Sequence, residues 1–194
     1  NAVLSPSTFY SVGDEETNSS GYSSNWLYKV KITSNSAKVA SSESGFALYY
    51  DLSQLPSTGF WDSVKAGAVD VRVTESDGVT EIPRELSAVD VASEVGSLFF
   101  KGDIDSAGDD FWIYFGNSSA SDYGVTDTYG RNNVWTAFSL VLHMDEASGN
   151  IVDSTGNHNS TSVGGTPDYE QSSDSGKSIY FNDASDEYFN FGSI

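Results

Sequence analysis

The chain contains no cysteine, so neither a disulfide framework nor a thiolate metal site is available to it. That absence does not fix a compartment. Basic residues are scarce: 9 Lys and Arg face 28 Asp and Glu, for a net charge of −19. A chain this acidic repels nucleic-acid phosphates and anionic lipid, which removes both from the expected partners. Long hydrophobic runs are missing too, and nothing approaches the roughly 18 apolar residues needed to span a membrane. Histidine occurs only at 143 and 158, and no Gly-x-Ser-x-Gly elbow exists, so a serine-hydrolase reading has little to stand on. The first residue is Asn1 and not Met, which suits a processed chain or numbering that starts inside a longer protein; no signal peptide is visible.

What is present points to strands. Hydrophobic residues make up 38% and aromatics 13% of 194 residues, enough for a core and too much for disorder. Residues 1–24 read as a Ser/Asn/Gly/acid-rich arm with one apolar patch at Phe9, Tyr10 and Val12, which would suit a strand given to a neighbouring subunit. Trp26 to Thr33 alternates with period 2, with Trp26, Tyr28, Val30 and Ile32 on one face. Gly45 to Leu52 alternates again. Phe60 to Ala66 suits one helical turn with Phe60, Trp61 and Val64 inward. Val69 to Val73 and Thr80 to Leu86 flank Asp77-Gly78, a hairpin signal, and Pro83 marks an edge or a bulge in the return strand.

Gly96 to Asn117 carries two aromatic strands around an acidic loop. On the second, Phe111, Ile113 and Phe115 face one way and Trp112 and Tyr114 the other, as in a central strand covered on both sides. The two strands with their loop read as a hairpin. Residues 119–133 are small and polar, a linker. Beyond it Phe138, Leu140 and Leu142 alternate, and strands are expected at Lys177–Asn182 and near Tyr188–Phe191. No helix exceeds about two turns, and turn signals recur every 8–12 residues or so, the spacing of an all-β sandwich.

The order of these motifs resembles the domain-of-unknown-function family 2341, a β-sandwich module of surface and viral proteins. The residues that carry the likeness are Trp26–Ile32, Val69–Gly78, Leu98–Phe100 and Phe111–Asn117, across roughly residues 25–120. Val134 to Asp145, Asp153-Ser-Thr-Gly-Asn157 and Ser178–Asn182 resemble the opening of a concanavalin A/laminin-G-like jelly roll, over roughly 134–194. The implied fold is an all-β chain: an N-terminal arm (1–24), an antiparallel β-sandwich (25–118), a linker (119–133) and a partial jelly-roll-like β segment (134–194). Such jelly rolls need about twice the length available, so on this resemblance the second domain is unfinished and its remaining strands are absent, disordered or supplied by another chain.

Candidate chemistry is sparse. Asp103, Asp105, Asp109 and Asp110 cluster in one loop, and Asp103, Asp105 and Gly108 share positions 1, 3 and 6 of an EF-hand loop, but Ala107 and Tyr114 stand where further ligands belong, so the stretch reads as an acidic tip. Loops like 153–157 hold calcium in jelly-roll lectins, which makes Asp153 and Asn157 the candidate calcium ligands. Paired carboxylates for glycoside hydrolysis are not singled out among so many acids. Tyr123, Tyr129 and Trp135 are the candidate rings for stacking on sugars. Asn18, Asn117 and Asn159 begin N-glycosylation triplets.

The expectation is a non-enzymatic module of the extracellular space, a cell surface or a virion surface, serving adhesion by recognition of glycans or cell-surface polysaccharide. The alternative is a structural subunit of a phage fibre, virion decoration or surface filament, assembled with other copies or other subunits by β-pairing.

Overall fold

The computed structural model describes residues 9–55, 59–173 and 176–192. The chain is all-β and antiparallel, with one helical turn and a few 3-10 turns among the described residues. It divides into two compact units, residues 1–134 and 135–194.

Among the described residues eight strands build the N-terminal unit: β1 (Tyr10–Thr17), β2 (Tyr28–Ser34), β3 (Glu43–Asp51), β4 (Arg72–Thr74), β5 (Glu81–Ile82), β6 (Arg84–Asp90), β7 (Val95–Ile104) and β8 (Asp110–Phe115). They form a five-stranded sheet in the order β1-β2-β8-β4-β5 and a three-stranded sheet in the order β3-β7-β6. The alternation read from the sequence places the core. In the first sheet Val30, Ile113, Val73 and Ile82 align across four strands, all buried. In the second, Leu48 pairs with Phe100, and Tyr50 with Leu98. Side chains of both sheets enter one sandwich-like core, closed at one end by Phe60 and Trp61 of the single turn α1 (Phe60–Ser63). Burying one such side chain stabilises the fold by roughly 1.5–3 kcal/mol.

β8 is central, as its two apolar faces require. Phe111, Ile113 and Phe115 enter the main core, and Tyr114 lies with Trp26 and Ala120 in a second cluster on the opposite face. Trp26 therefore does not share the face of Val30 and Ile32; it precedes β2 and donates from Nε1 to the Asp70 carbonyl at 2.6 Å.

Two expectations change. The stretch 96–117 is not a hairpin: β7 and β8 belong to different sheets, and the acidic loop carries the chain from one to the other. Its acids are used locally. Asp109 accepts from the Asp105 N–H at 2.5 Å, and Asp103 accepts from Ser44 Oγ and the Gly45 N–H. Pro83 does mark an edge, standing between β5, the edge strand of the first sheet, and β6, an edge strand of the second. The Asp77-Gly78 turn spans 75–80; only Gly78 takes positive φ (68°), while Asp77 caps the loop by accepting from the Val79 and Thr80 N–H groups.

The second change is the N-terminal arm. β1 pairs antiparallel with β2 of its own chain, Tyr10 opposite Ser34 and Val12 opposite Ile32. Tyr10 is buried, with Phe9 and Val12 packed against the same core. The patch assigned to a neighbouring subunit is thus spent within its own chain; the part of the arm before Phe9 lies outside the described residues.

The C-terminal unit holds β9 (Ser162–Gly164), β10 (Asp168–Ser173), β11 (Gly176–Tyr180) and β12 (Tyr188–Asn190). They pair as two separate two-stranded sheets, β10-β11 and β12-β9. The alternating run 138–143 forms no strand. Its single ladder contact is a bridge between Leu142 and Asp153, because no neighbouring strand offers a continuous partner.

Candidate functional site

The polar side chains of the N-terminal unit converge on the β4–β5 pair. Arg72 and Arg84 sit on strands and are 4% and 3% exposed. Buried guanidinium groups need partners, and here backbone carbonyls and carboxylates supply them, with the Arg72 Nε alone making no hydrogen bond. Arg72 donates from Nη1 to the Val69 and Val71 carbonyls at 3.0 and 2.8 Å, and from Nη2 to the Ser121 carbonyl at 2.8 Å. Its Nε is 3.5 Å from Glu81 Oε1. Arg84 donates from Nε to the Val71 carbonyl at 3.0 Å and meets Asp122 at 2.7 Å. Burial pulls the Arg84 pKa below its usual range, opposed by Asp122.

Tyr123 closes this cluster. Its hydroxyl donates to Glu81 Oε1 at 2.7 Å, and the Arg72 guanidinium lies 4.2 Å from its ring centre. The other Glu81 oxygen accepts from the Tyr22 hydroxyl. Burial pushes both phenols up, helped by the Glu81 carboxylate. Tyr129 stands 5.8 Å from Tyr123, and its carbonyl accepts from the Arg84 N–H. The segment expected to be a linker is therefore fastened to β4–β6 by Ser121, Asp122, Tyr123 and Tyr129.

Asp70 is a second buried polar anchor, and sequence reasoning passed over it. Its side chain accepts from the N–H groups of Lys65 (2.9 Å), Gly116 (2.8 Å) and Asn117 (3.0 Å). This explains the Phe-Gly-Asn end of β8. Gly116 takes φ 83°, a Cβ there would strike the Tyr28 ring, and Asp70 holds the two freed amides.

In the C-terminal unit the fixed point is Asp153, 1% exposed. Oδ1 accepts from the N–H groups of Val141 (2.9 Å) and Thr155 (3.0 Å). Oδ2 accepts from Thr155 Oγ1 (2.5 Å) and the N–H groups of Asn157 (3.2 Å) and His158 (2.9 Å). Burial alone would raise its pKa, but the donors outweigh burial and hold it well below the carboxylate range. Asn157 is brought beside Asp153, yet it approaches with its N–H, and its side-chain amide donates to Thr155 Oγ1. A cation at Asp153 would have to displace these donors. Among the described residues no group of three or more His, Cys, Asp or Glu is placed to hold a metal ion.

Trp135, the third candidate ring, belongs to the C-terminal unit, edge-on to Phe138 at 5.4 Å and 6.2 Å from the His143 ring. It does not join Tyr123 and Tyr129 in one compact unit. His143 Nδ1 lies 2.8 Å from Ser154 Oγ, but Ser154 is 5% exposed and its N–H is bound to the Val141 carbonyl, so this pair closes the Asp153 loop.

The remaining feature is apolar. Ile151 and Pro167 are the buried apolar residues among the described residues of the C-terminal unit. Phe189 meets Tyr169 and Phe181 edge-on at 6.1 and 5.3 Å, joining the two small sheets in an aromatic group. Tyr180, Tyr188, Val152, Phe138 and Phe181 stay exposed, at 59, 54, 51, 43 and 37%. Comparison with protein-family models, with curated proteins and with solved structures finds no match.

Proposed function

We propose that this chain is a structural β module of a particle, fibre or surface filament, working outside the cell or on a virion surface by pairing strands with neighbouring subunits. The observation that carries this reading is the C-terminal unit, where the described residues form two two-stranded sheets, bury two apolar side chains (Ile151 and Pro167) and leave five large apolar side chains exposed. Isolated two-stranded sheets are marginal in water, and an uncovered aromatic surface of this kind marks an association face. The net charge of −19 keeps such a face from indiscriminate aggregation and makes its association depend on salt. Sedimentation of the chain over a range of concentration, in low salt and in about 1 M salt, is the test. Concentration-dependent assembly that Tyr180→Ser and Tyr188→Ser abolish supports the reading; a monomer under all conditions, with slow amide exchange throughout 160–190, sinks it.

Glycan recognition is the second reading. It has in its favour the Tyr123–Tyr129 ring pair, set in a loop rich in Asp and Asn. Tyr123 already gives one ring face to Arg72 and its hydroxyl to Glu81, which leaves Tyr129 as the stacking ring. A hit on a glycan array that Tyr129→Ala removes would favour it, and a blank array would end it.

A further inference from the structure

The two sheets of the N-terminal unit end in four edge strands: β1, β5, β3 and β6. Proteins blunt exposed edges with charge, bulges or brevity, since a free row of N–H and C=O groups recruits other strands. Three of the four are blunted. β5 is two residues long. β1 breaks register between Val12 and Glu15 and carries Asp14, Glu15 and Glu16. β6 breaks register between Ser87 and Asp90, with Ala88 at φ 51°.

β3 differs. It has nine residues, and after an irregular start at Glu43–Phe46 it pairs with β7 without interruption from Phe46 to Asp51. It contains no proline, lysine or arginine. Phe46 and Tyr49 are 48 and 41% exposed, and the Tyr49 ring lies tilted beside that of Phe99 of β7, centres 5.2 Å apart. Among the described residues no strand pairs with its other side.

Charge identifies the occupant. Glu43 and Asp51 frame β3, and Asp103 accepts hydrogen bonds from Ser44 and Gly45 at its start. A second copy added antiparallel about the strand's centre would set Glu43 against Asp51 twice, between bodies of charge −19 each. Like charges placed opposite on adjacent strands destabilise the pairing. We infer that the free side of β3 is a docking edge for an extended segment of a different polypeptide, alternating apolar and polar residues and carrying Lys or Arg at its ends, which joins the sheet as a strand beside Phe46–Asp51. Main-chain hydrogen bonds supply the affinity, and the terminal cations supply the choice of partner. This inference rests on the reading of the chain as a strand-pairing module, and it names a second contact, in the other unit, with its own partner chemistry.

The probe is a displayed library of random nine-residue peptides, selected against the whole chain. The expected result is enrichment of alternating sequences with Lys or Arg at one or both ends. On binding, the enriched peptide slows amide exchange within residues 46–51 about tenfold or more and binds about tenfold more weakly to Tyr49→Lys or in about 0.5 M salt. Tyr49 is a surface residue, so this variant keeps the fold; a matched melting curve checks it. No enrichment, enrichment without basic residues, protection on another strand, or full affinity in Tyr49→Lys each overturns the inference. If the chain still assembles through its C-terminal unit while β3 stays unprotected, the module reading stands and this inference falls. If β3 binds basic peptides while the chain never assembles, the reverse holds.

Discussion

The N-terminal and C-terminal units use the same strand-forming residues and reach order by different means. In the N-terminal unit, apolar residues at every second position meet apolar partners across strands and across sheets, as in the row Val30, Ile113, Val73 and Ile82. In the C-terminal unit the aromatic residues pair mostly at the surface, and the interior point of order is a carboxylate, Asp153, that gathers amides from 141, 155, 157 and 158. The contrast teaches that alternation is necessary for a strand and insufficient for a core. Burial needs a second layer, and the described C-terminal strands stop at two pairs of two.

The sharpest way to break the comparison is to remove one central aliphatic side chain from each unit. Ile113→Ala should cost about 2–5 kcal/mol and lower the thermal midpoint of the N-terminal unit. Ile151→Ala should abolish amide protection around 151–160 and leave protection in β2 and β8 unchanged, read by residue-resolved exchange. If Ile113→Ala is tolerated, the shared core is not what holds the first unit.

Next is the buried cation. Arg72→Met removes the guanidinium from Tyr123, Ser121 and Glu81, leaving a buried carboxylate without its counter-charge. A loss of about 3 kcal/mol is expected, together with faster exchange in residues 119–130, seen by mass-resolved exchange. A loss of stability without loosening of that segment would mean that the clamp lies elsewhere.

Asp153→Ala tests the polar order of the C-terminal unit. Five donors lose their acceptor, and a local destabilisation of about 2 kcal/mol is expected. Because the folded pKa of Asp153 is depressed, its stabilisation is complete above the ordinary carboxylate range and disappears as the pH falls through the folded value. The gap between wild type and Asp153→Ala should therefore be wide at pH 7 and close in strong acid. Adding calcium or a chelator measures the rival role of this loop: a raised midpoint with calcium that Asp153→Ala removes would favour a cation over the loop amides.

The smallest effect concerns Glu75. Burial, with Asp103, Asp109 and Asp77 nearby, pushes its carboxyl up to about 7, against a hydrogen bond from the Asp103 backbone. A raised folded pKa means that stability is fullest below the unfolded value and lost as pH rises through about 7. Glu75→Gln should flatten the decline in the N-terminal unit's thermal midpoint between about pH 5 and pH 8. An unchanged slope would remove Glu75 as its source.

Much of this fold was legible in the sequence. The two-faced aromatic strand, the Asp-Gly turn, the helical turn at Phe60 and the strands at 176–180 and 188–190 all follow from local periodicity. Period 2 assigns a face but not a neighbour, so it could not tell that β7 and β8 part into different sheets. β1 was hidden because Gly13 and three acids dilute its alternation, although pairing with β2 rescues it. Alternation with Val69, Val71 and Val73 assigns Asp70 and Arg72 to the polar side of a strand; only long-range partners such as Ser121 and Gly116 turn them inward. For the candidate site, Tyr123 and Tyr129 read as rings of a polar linker and Asp153 and Asn157 as one loop's oxygen donors, while the hydrogen bonds that occupy Tyr123 and Asp153 depend on segments up to 42 residues away.

The central place of β8 also sets a timetable for synthesis. Until residues 110–115 leave the ribosome, β2 and β4 lack the strand that joins them, and the five-stranded sheet can form only as the β1–β2 and β4–β5 pairs. At about 5–20 residues per second that interval lasts several seconds. The nascent chain depends during it on its own acidity, or on a chaperone, to stay out of trouble.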